Sequence, residues 1–283
     1  LMAHRTVAEQ LAFPLEVRGV GRADIITRVR AEGMAMGLGR LMGRRPQQLS
    51  AGEAQRVSLG RTRTRVAAAL LLDEPLSRAD AGERARLRAD LLAYQRAGEV
   101  TMVLATNDHD EALLLADRIL VLRAGRTVQV GTPEAILRQP SEEWVAGFVG
   151  DPPMGVVDAT VEADGAMGWL RVADQRLRVP GGLPGALAQR IGLPLRLGAR
   201  PHQLRPPMQP DEAVDRRLRA VVGHVTPWPD HQLVQLDLPG GCWQAMCPRG
   251  HPLRKGSTVE VVADVRAMSA FDEEGTPVWH GDT

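Results

Sequence analysis

The sequence predicts an α/β domain followed by a β-rich one, and three observations carry that expectation. The run Ala67 to Leu72 is apolar throughout and ends in two carboxylates, Asp73 and Glu74. A second apolar run, Val100 to Thr106, follows after a stretch of helical periodicity. Uninterrupted apolar runs read as strands buried on both faces, and the order strand, helix, strand is that of a parallel sheet covered by helices. Beyond Gly150 the texture changes to short alternating apolar runs separated by Gly, Pro and Asp turns such as Asp164-Gly165, Pro180-Gly181-Gly182 and Pro239-Gly240-Gly241, the pattern of a small antiparallel barrel or sandwich.

The elements follow in order. Thr6 and Glu9 make a capping box that starts a short helix, which Pro14 is expected to limit. Ala23 to Met36 has apolar residues at Ile25, Ile26, Val29 and Met34, near helical period, and fits a surface helix as well as a docking one. Ser50 and Glu53 form a second capping box ahead of another helix, whose free N–H groups and positive dipole end suit a phosphate. Ala81 to Gln95 reads as an amphipathic helix carrying Leu87, Leu91 and Leu92, closed by Gly98. Ile119 to Gly131 reads as a hairpin, and Thr132-Pro133 starts a helix with threonine as cap and proline in the first turn. The β-rich part should hold strands over Val156–Val161, Trp169–Val172, Leu195–Leu197, Leu218–Val225, Leu233–Leu238 and Val259–Val265.

Composition narrows the function classes. A chain of 283 residues has material for two domains, and its net charge of +1 points to no polyanionic partner. The cations are almost all arginine, with Lys255 the one lysine. Cys242 and Cys247 cannot form a disulfide framework, and no signal peptide opens the sequence, so a reducing cytoplasm is the expected setting. The C-x4-C pair with His251 nearby lacks the second pair of ligands that makes zinc motifs convincing. No apolar run reaches the ~18 residues of a membrane span. A barrel of this size can bind oligonucleotides, but aromatics are scarce and no basic stripe interleaves with them, which disfavours nucleic acid.

Three pieces between Leu49 and Asp80 then carry a resemblance. Leu49-Ser50-Ala51-Gly52-Glu53-Ala54-Gln55-Arg56 is similar to the LSGGQ-x-QR signature of ABC-type ATPases, with Ala51 in place of glycine and Glu53 in place of glutamine. Leu70 to Pro75 (LLLDEP) resembles Walker B, and Ser77-Arg78-Ala79-Asp80 resembles the D-loop. Further on, Thr106-Asn107-Asp108-His109-Asp110-Glu111-Ala112 resembles T-H-D-x-x-E-A, with Asn107 where the switch histidine stands and His109 read as a solvated helix-start residue. Trp144 to Met154 resembles the linker of carbohydrate importers, with Gly155 where asparagine is usual, and Leu197-Gly198-Ala199-Arg200-Pro201 resembles L-G-x-R-P of their OB-like regulatory domain, with His202 in place of the next glutamate. Leu1 to Val7 resembles the segment after the Q-loop.

The resemblance implies a P-loop NTPase (ABC ATPase) domain with a helical subdomain over 1–150 and an OB-like regulatory β domain over 151–283. The first is incomplete as given: a phosphate loop G-x-x-x-x-G-K-[ST] needs a lysine that the sequence does not have before Lys255, and the Q-loop glutamine is expected upstream of Leu1. The cofactors implied are ATP and Mg²⁺. Asp73 would hold Mg²⁺ through water and Glu74 would polarise the water that attacks the γ-phosphate. Ser50, Ala51, Gly52, Glu53, Gln55 and Asp80 would meet the nucleotide across a dimer, and Asn107 would stand in the switch position without the charge of a histidine. Glu53 sets a negative charge beside that phosphate, and Ala51 carries a cost if its position needs a positive φ. The function implied is that of a peripheral ATP-binding subunit on the cytoplasmic face of the membrane, coupling ATP hydrolysis to carbohydrate uptake with a second ABC ATPase subunit and two membrane-spanning permease subunits. The competing reading is a truncated or degenerate non-catalytic subunit that docks on a transporter or on an intact ATPase. A soluble ABC protein of DNA repair or translation is disfavoured by the importer-type linker and barrel. For these residues alone no ATP hydrolysis is expected.

Overall fold

The computed structural model describes residues 1–65, 67–77, 79–96, 100–209 and 212–281. The chain divides into two compact units, 1–115 and 116–283. Two sequence expectations, Gly98 as the end of a helix and Arg78 in the D-loop segment, lie outside the described residues.

In the first unit, helices α1 (Val7–Val17), α2 (Arg22–Ala35) and α3 (Ala51–Arg63) precede strand β1 (Ala69–Asp73), helix α4 (Ala81–Arg96), strand β2 (Thr101–Ala105) and helix α5 (His109–Leu115). The two expected capping boxes are present: Glu9 N donates to Thr6 Oγ1 and Thr6 N to Glu9 Oε2, and the same reciprocal pair links Ser50 and Glu53. Pro14 does not limit α1, which runs on through it. A proline inside a helix forfeits its own amide's bond and crowds the carbonyl four residues back, and Leu11 and Leu15, both fully buried, hold the helix on each side of it against that cost. Along α2, Val29 is buried while Ile26 and Met34 are exposed, so its apolar residues serve the core only in part.

Strands β1 and β2 are parallel, in register from Ala69 opposite Thr101 to Asp73 opposite Ala105. The expectation that they are covered on both faces holds for one face only. Leu70 and Leu72 are buried, Leu72 in one cluster with Leu87 and Leu91 of α4, whereas Leu71 is 76% and Val103 55% exposed on the other side. A strand turns successive side chains to opposite faces, so a single covering layer produces this alternation even in an uninterrupted apolar run.

The second unit opens with the expected hairpin, β3 (Ile119–Arg123) and β4 (Arg126–Gly131), followed by α6 (Pro133–Arg138), which Thr132 caps through Ala135 N, and α7 (Glu143–Phe148). Strands β5 (Gly155–Asp164), β6 (Met167–Val172), β7 (Gln175–Val179), β8 (Pro194–Ala199), β9 (Leu204–Arg205), β10 (Arg217–Pro227), β11 (His231–Leu238), β12 (Gly241–Pro248), β13 (Thr258–Ala263), β14 (Ser269–Phe271) and β15 (Pro277–His280) complete it. They form two antiparallel sheets, ordered β15-β14-β8-β5-β6-β7 and β12-β11-β10-β13-β9. The inward residues of both sheets share one core centred on Trp243, whose Nε1 donates to the Leu197 carbonyl at 3.1 Å.

Several strands escaped the sequence reading, β7 and β12 the longest of them. Strand β7 (QRLRV) alternates arginine with Leu177 and Val179, and β12 (GCWQAMCP) begins beside two glycines that look like turn alone. The latter explains Gly155: a side chain there would come within 2.5 Å of the Cys242 carbonyl on β12. Cys242 and Cys247 lie five residues apart on the same strand and therefore on opposite faces. Both are free, and burial pushes the Cys247 thiol up to about 11.

Residues 133–150 are fastened to the β-rich part. The guanidinium of Arg200, 6% exposed, donates from Nε and Nη2 to the Leu137 carbonyl at 3.1 and 2.9 Å, and from Nη1 to the Val149 carbonyl at 3.0 Å. Arg196 pairs with Glu143 and Asp158, and Ala146 packs with Met154 and Phe271.

Candidate functional site

The site is built where α3 begins and β1 ends. The start of α3 is fixed by the Ser50–Glu53 box, so the carboxylate of Glu53 is turned back to the Ser50 amide rather than along the helix. Ala51 has no positive φ, so alanine meets no backbone penalty here. The left-handed backbone sits instead at Glu74, with φ 45°. Left-handed backbone at a non-glycine residue costs roughly 1–2 kcal/mol and persists only where the surroundings hold it.

The holding groups are explicit. Glu74 N donates to the Ala105 carbonyl of β2 at 2.9 Å, and Asn107 N donates to Glu74 Oε1 at 2.9 Å. Ser77 Oγ donates to the Glu74 carbonyl at 2.9 Å. From α3, Gln55 Nε2 donates to the Pro75 carbonyl and lies 3.5 Å from that of Glu74. Gln55 thus ties the signature-like helix to the strand end. Asp73 is the last residue of β1 and is exposed.

Ala51, Ala54, Gln55, Asp73, Glu74 and Ser77 line one groove of about 550 Å³. Other candidates stand outside its lining. Asp80 caps α4, its Oδ1 accepting from Glu83 N at 2.9 Å. Gly52 is buried under the carboxylate of Glu83, which pairs with Arg56 at 3.2 Å. Asn107 reaches the site through its amide. His109 is the first residue of α5, as expected, and is half-buried there.

Next to Asn107 in sequence lies a cluster that the sequence reading did not single out. Thr106 Oγ1 donates to Glu111 Oε2 at 2.9 Å and accepts from Asp108 N at 3.1 Å. Asp108 Oδ1 accepts from Glu111 N at 3.0 Å, while its other oxygen faces Arg84 and Arg88 at 3.4 and 3.3 Å. Glu111 is 2% exposed, and burial raises its carboxyl above the ordinary 4.5 against the hydrogen bond from Thr106. A D-x-x-E spacing at a helix start was the available signal.

Among the described residues no group of three or more His, Cys, Asp and Glu is arranged to hold a metal ion by itself, and no helix is long and apolar enough to cross a membrane. No protein-family model matches the chain. Among curated proteins it is 36% identical over 279 residues to the trehalose/maltose import ATP-binding protein MalK of Thermococcus litoralis, covering 96% of this chain and 74% of the relative. It is 35% identical over 281 residues to the sn-glycerol-3-phosphate import ATP-binding protein UgpC of Cereibacter sphaeroides, covering 97% and 74%, and 33% identical over 280 residues to UgpC of Chromobacterium violaceum, covering 97% and 72%. An α/β ATPase part followed by a β-rich part is the class that fold and likeness define together. The chain belongs to the family of import ATP-binding proteins of ABC transporters.

Proposed function

We propose that the chain is the ATP-binding subunit of an ABC importer that couples ATP binding and hydrolysis to uptake of a carbohydrate or a related polyol phosphate, at the cytoplasmic face of the membrane. The observation that carries the reading is the groove in which the start of α3 meets the Asp73-Glu74 end of β1, in a chain with family likeness along nearly its whole length. Partners are two membrane-spanning permease subunits and a second ABC ATPase subunit. We read residues 1–150 as the ATPase domain and 151–283 as an OB-like regulatory domain.

The residues present fit the cofactors. Mg²⁺ is commonly held by one or two carboxylates with waters and substrate phosphates, so Asp73 alone at a strand end suffices as the protein ligand. Glu74, with one carboxylate oxygen held by the Asn107 amide, keeps its other oxygen to orient a water. Ser50, Ala51 and Gly52 offer the helix start to a phosphate, and Gln55 keeps that start in step with Glu74. Asp80 serves the site by fixing the start of α4. ATP, when bound, supplies the phosphoanhydride whose cleavage drives transport.

At an ATP site shared between two such subunits, the start of α3 is placed opposite a partner's phosphate loop. There Ser50 and Gly52 would act with the partner's machinery, and Asn107 would serve the other site. A second reading, a non-catalytic docking subunit, is favoured by Glu53, whose carboxylate adds negative charge at the phosphate-facing helix start. The two readings part in proteoliposomes holding the permeases, a solute-binding protein and this chain with an ATPase partner. Uptake of labelled glycerol 3-phosphate or disaccharide that needs Mg-ATP and this chain supports the first reading; uptake that proceeds equally without this chain's signature, after Ser50→Arg, refutes it.

A further inference from the structure

The contact between α3 and α4 contains a residue that neither the motifs nor the likeness single out. Gly52, the second residue of α3, is buried, and a β-carbon on it would lie 1.8 Å from Oε2 and 2.7 Å from Cδ of Glu83. The same carboxylate pairs through Oε1 with Arg56 Nε at 3.2 Å, and the two side chains are only 17% and 18% exposed. Glu83 is the third residue of α4, and its own amide is fixed by Asp80 Oδ1 at 2.9 Å. One carboxylate thus fills the notch left by a glycine, neutralises an arginine one turn further along the same helix, and hangs from a helix start that the D-loop aspartate caps.

We propose that Glu83 is a positioning residue for the signature: acting through Arg56 and the bare Cα of Gly52, it locks the first turn of α3 to the start of α4, so that the amides of Ala51 to Glu53 move with Asp80. Gln55 already ties α3 to the Glu74-Pro75 turn, and Glu83 adds the second tether, from the opposite partner helix. Two tethers at different points of one helix fix its direction, where a single tether leaves it free to pivot. The glycine at position 52 leaves the space that the Glu83 carboxylate fills, and its bearing on nucleotide binding rests on the function proposed above. A phosphate contacted by the start of α3 would sense, through Glu83, any displacement of the D-loop segment.

The test uses the whole chain without nucleotide, so its outcome is independent of whether the chain hydrolyses ATP. Hydrogen exchange by mass spectrometry is followed over residues 51–56, 73–77 and 83–90 in wild type, Glu83→Gln, Gly52→Ala and the double variant. Glu83→Gln should speed exchange over 51–56 about tenfold, the effect of removing the charge that pairs with the partly buried Arg56 guanidinium. Exchange over 73–77, held by Gln55, and over 83–90, capped by Asp80, should stay at the wild-type rate, and the thermal midpoint should barely move. Gly52→Ala displaces the same carboxylate and should give the same local acceleration. The double variant should exchange no faster than either alone, because both substitutions remove one coupling. Unchanged exchange over 51–56 in Glu83→Gln, or acceleration spread evenly over all three segments, or effects that multiply in the double variant, would overturn the proposal.

Discussion

The backbone amide of Asn107 donates a 2.9 Å hydrogen bond to Oε1 of Glu74, across 33 residues of sequence. Two segments that sequence comparison treats as separate, the strand-end carboxylate and the switch position, are thereby one structural unit. The amide, not the side chain, makes the contact, and the Asn107 residue is exposed. Asn107→His and Asn107→Ala should therefore leave stability within about 0.5 kcal/mol of wild type, the range of ordinary surface changes. Urea unfolding checks this, and a loss of several kcal/mol in either variant would show that the side chain holds the turn.

Gln55 should be far less tolerant. Its Nε2 serves the carbonyls of the Glu74-Pro75 turn. Gln55→Glu removes that donor and faces a carboxylate with carbonyl oxygens, so a loss of about 2 kcal/mol in the first unit is expected. Tyr94 in α4 of this unit and the tryptophans of the second give separate fluorescence signals for the two. A midpoint shift confined to the tryptophan signal would contradict the assignment.

The buried Arg200 predicts where the second unit can be cut. Burial lowers its pKa to about 10, yet three hydrogen bonds to the Leu137 and Val149 carbonyls keep it in place. A fragment 116–283 retains those acceptors, whereas 151–283 loses them and the packing of Ala146 on Met154 and Phe271. Both should give β-type circular dichroism and a cooperative melt, with the shorter fragment less stable by about 2–5 kcal/mol. Arg200→Lys in the longer fragment should lose most of the same stability, since one ammonium cannot span both carbonyls as the guanidinium fork does. Equal stability of the two fragments would refute this.

Glu111 predicts a pH dependence. Burial raises its carboxyl above the ordinary 4.5, so the folded state favours the protonated form. Its contribution is fully present below the unfolded value and is lost as the pH rises through the folded one. Glu111→Gln keeps an acceptor for Thr106 Oγ1 and has no proton to lose. The stability of wild type relative to this variant should therefore fall as the pH rises from the ordinary carboxyl value through the raised folded one. Parallel stability curves over that range would contradict the burial argument.

Much of this was legible in the sequence because the signals were local. Capping boxes at Thr6 and Ser50 and the N-cap at Thr132 depend on spacing within one turn, and all three formed. The apolar run before Asp73 gave a strand, but not its one-sided burial, since the layer over Leu71 is a matter of tertiary structure. Pro14 was misjudged for a similar reason: propensity argued for an end, and the burial of Leu11 and Leu15 overrode it. Strand β12 was hidden by its glycines, which are demanded by close approach of β5 rather than by a turn alone. In the site, the motif positions were readable, whereas the tethers Asn107 to Glu74, Gln55 to Pro75 and Glu83 to Gly52 join residues 20 to 33 positions apart or different helices, and no spacing rule announces them.

The central claim is that this chain contributes its signature to an ATP site that faces a partner's phosphate loop. Steady-state Mg-ATPase of the purified chain, of an intact import ATP-binding partner carrying a disabled signature, and of the mixed pair tests it most directly. The chain alone should show no turnover, and the mixed pair should show turnover that Glu53→Gln raises and Asn107→His leaves unchanged. Turnover by these 283 residues alone that Glu74→Gln abolishes, or a rise from Asn107→His with none from Glu53→Gln, would contradict the account.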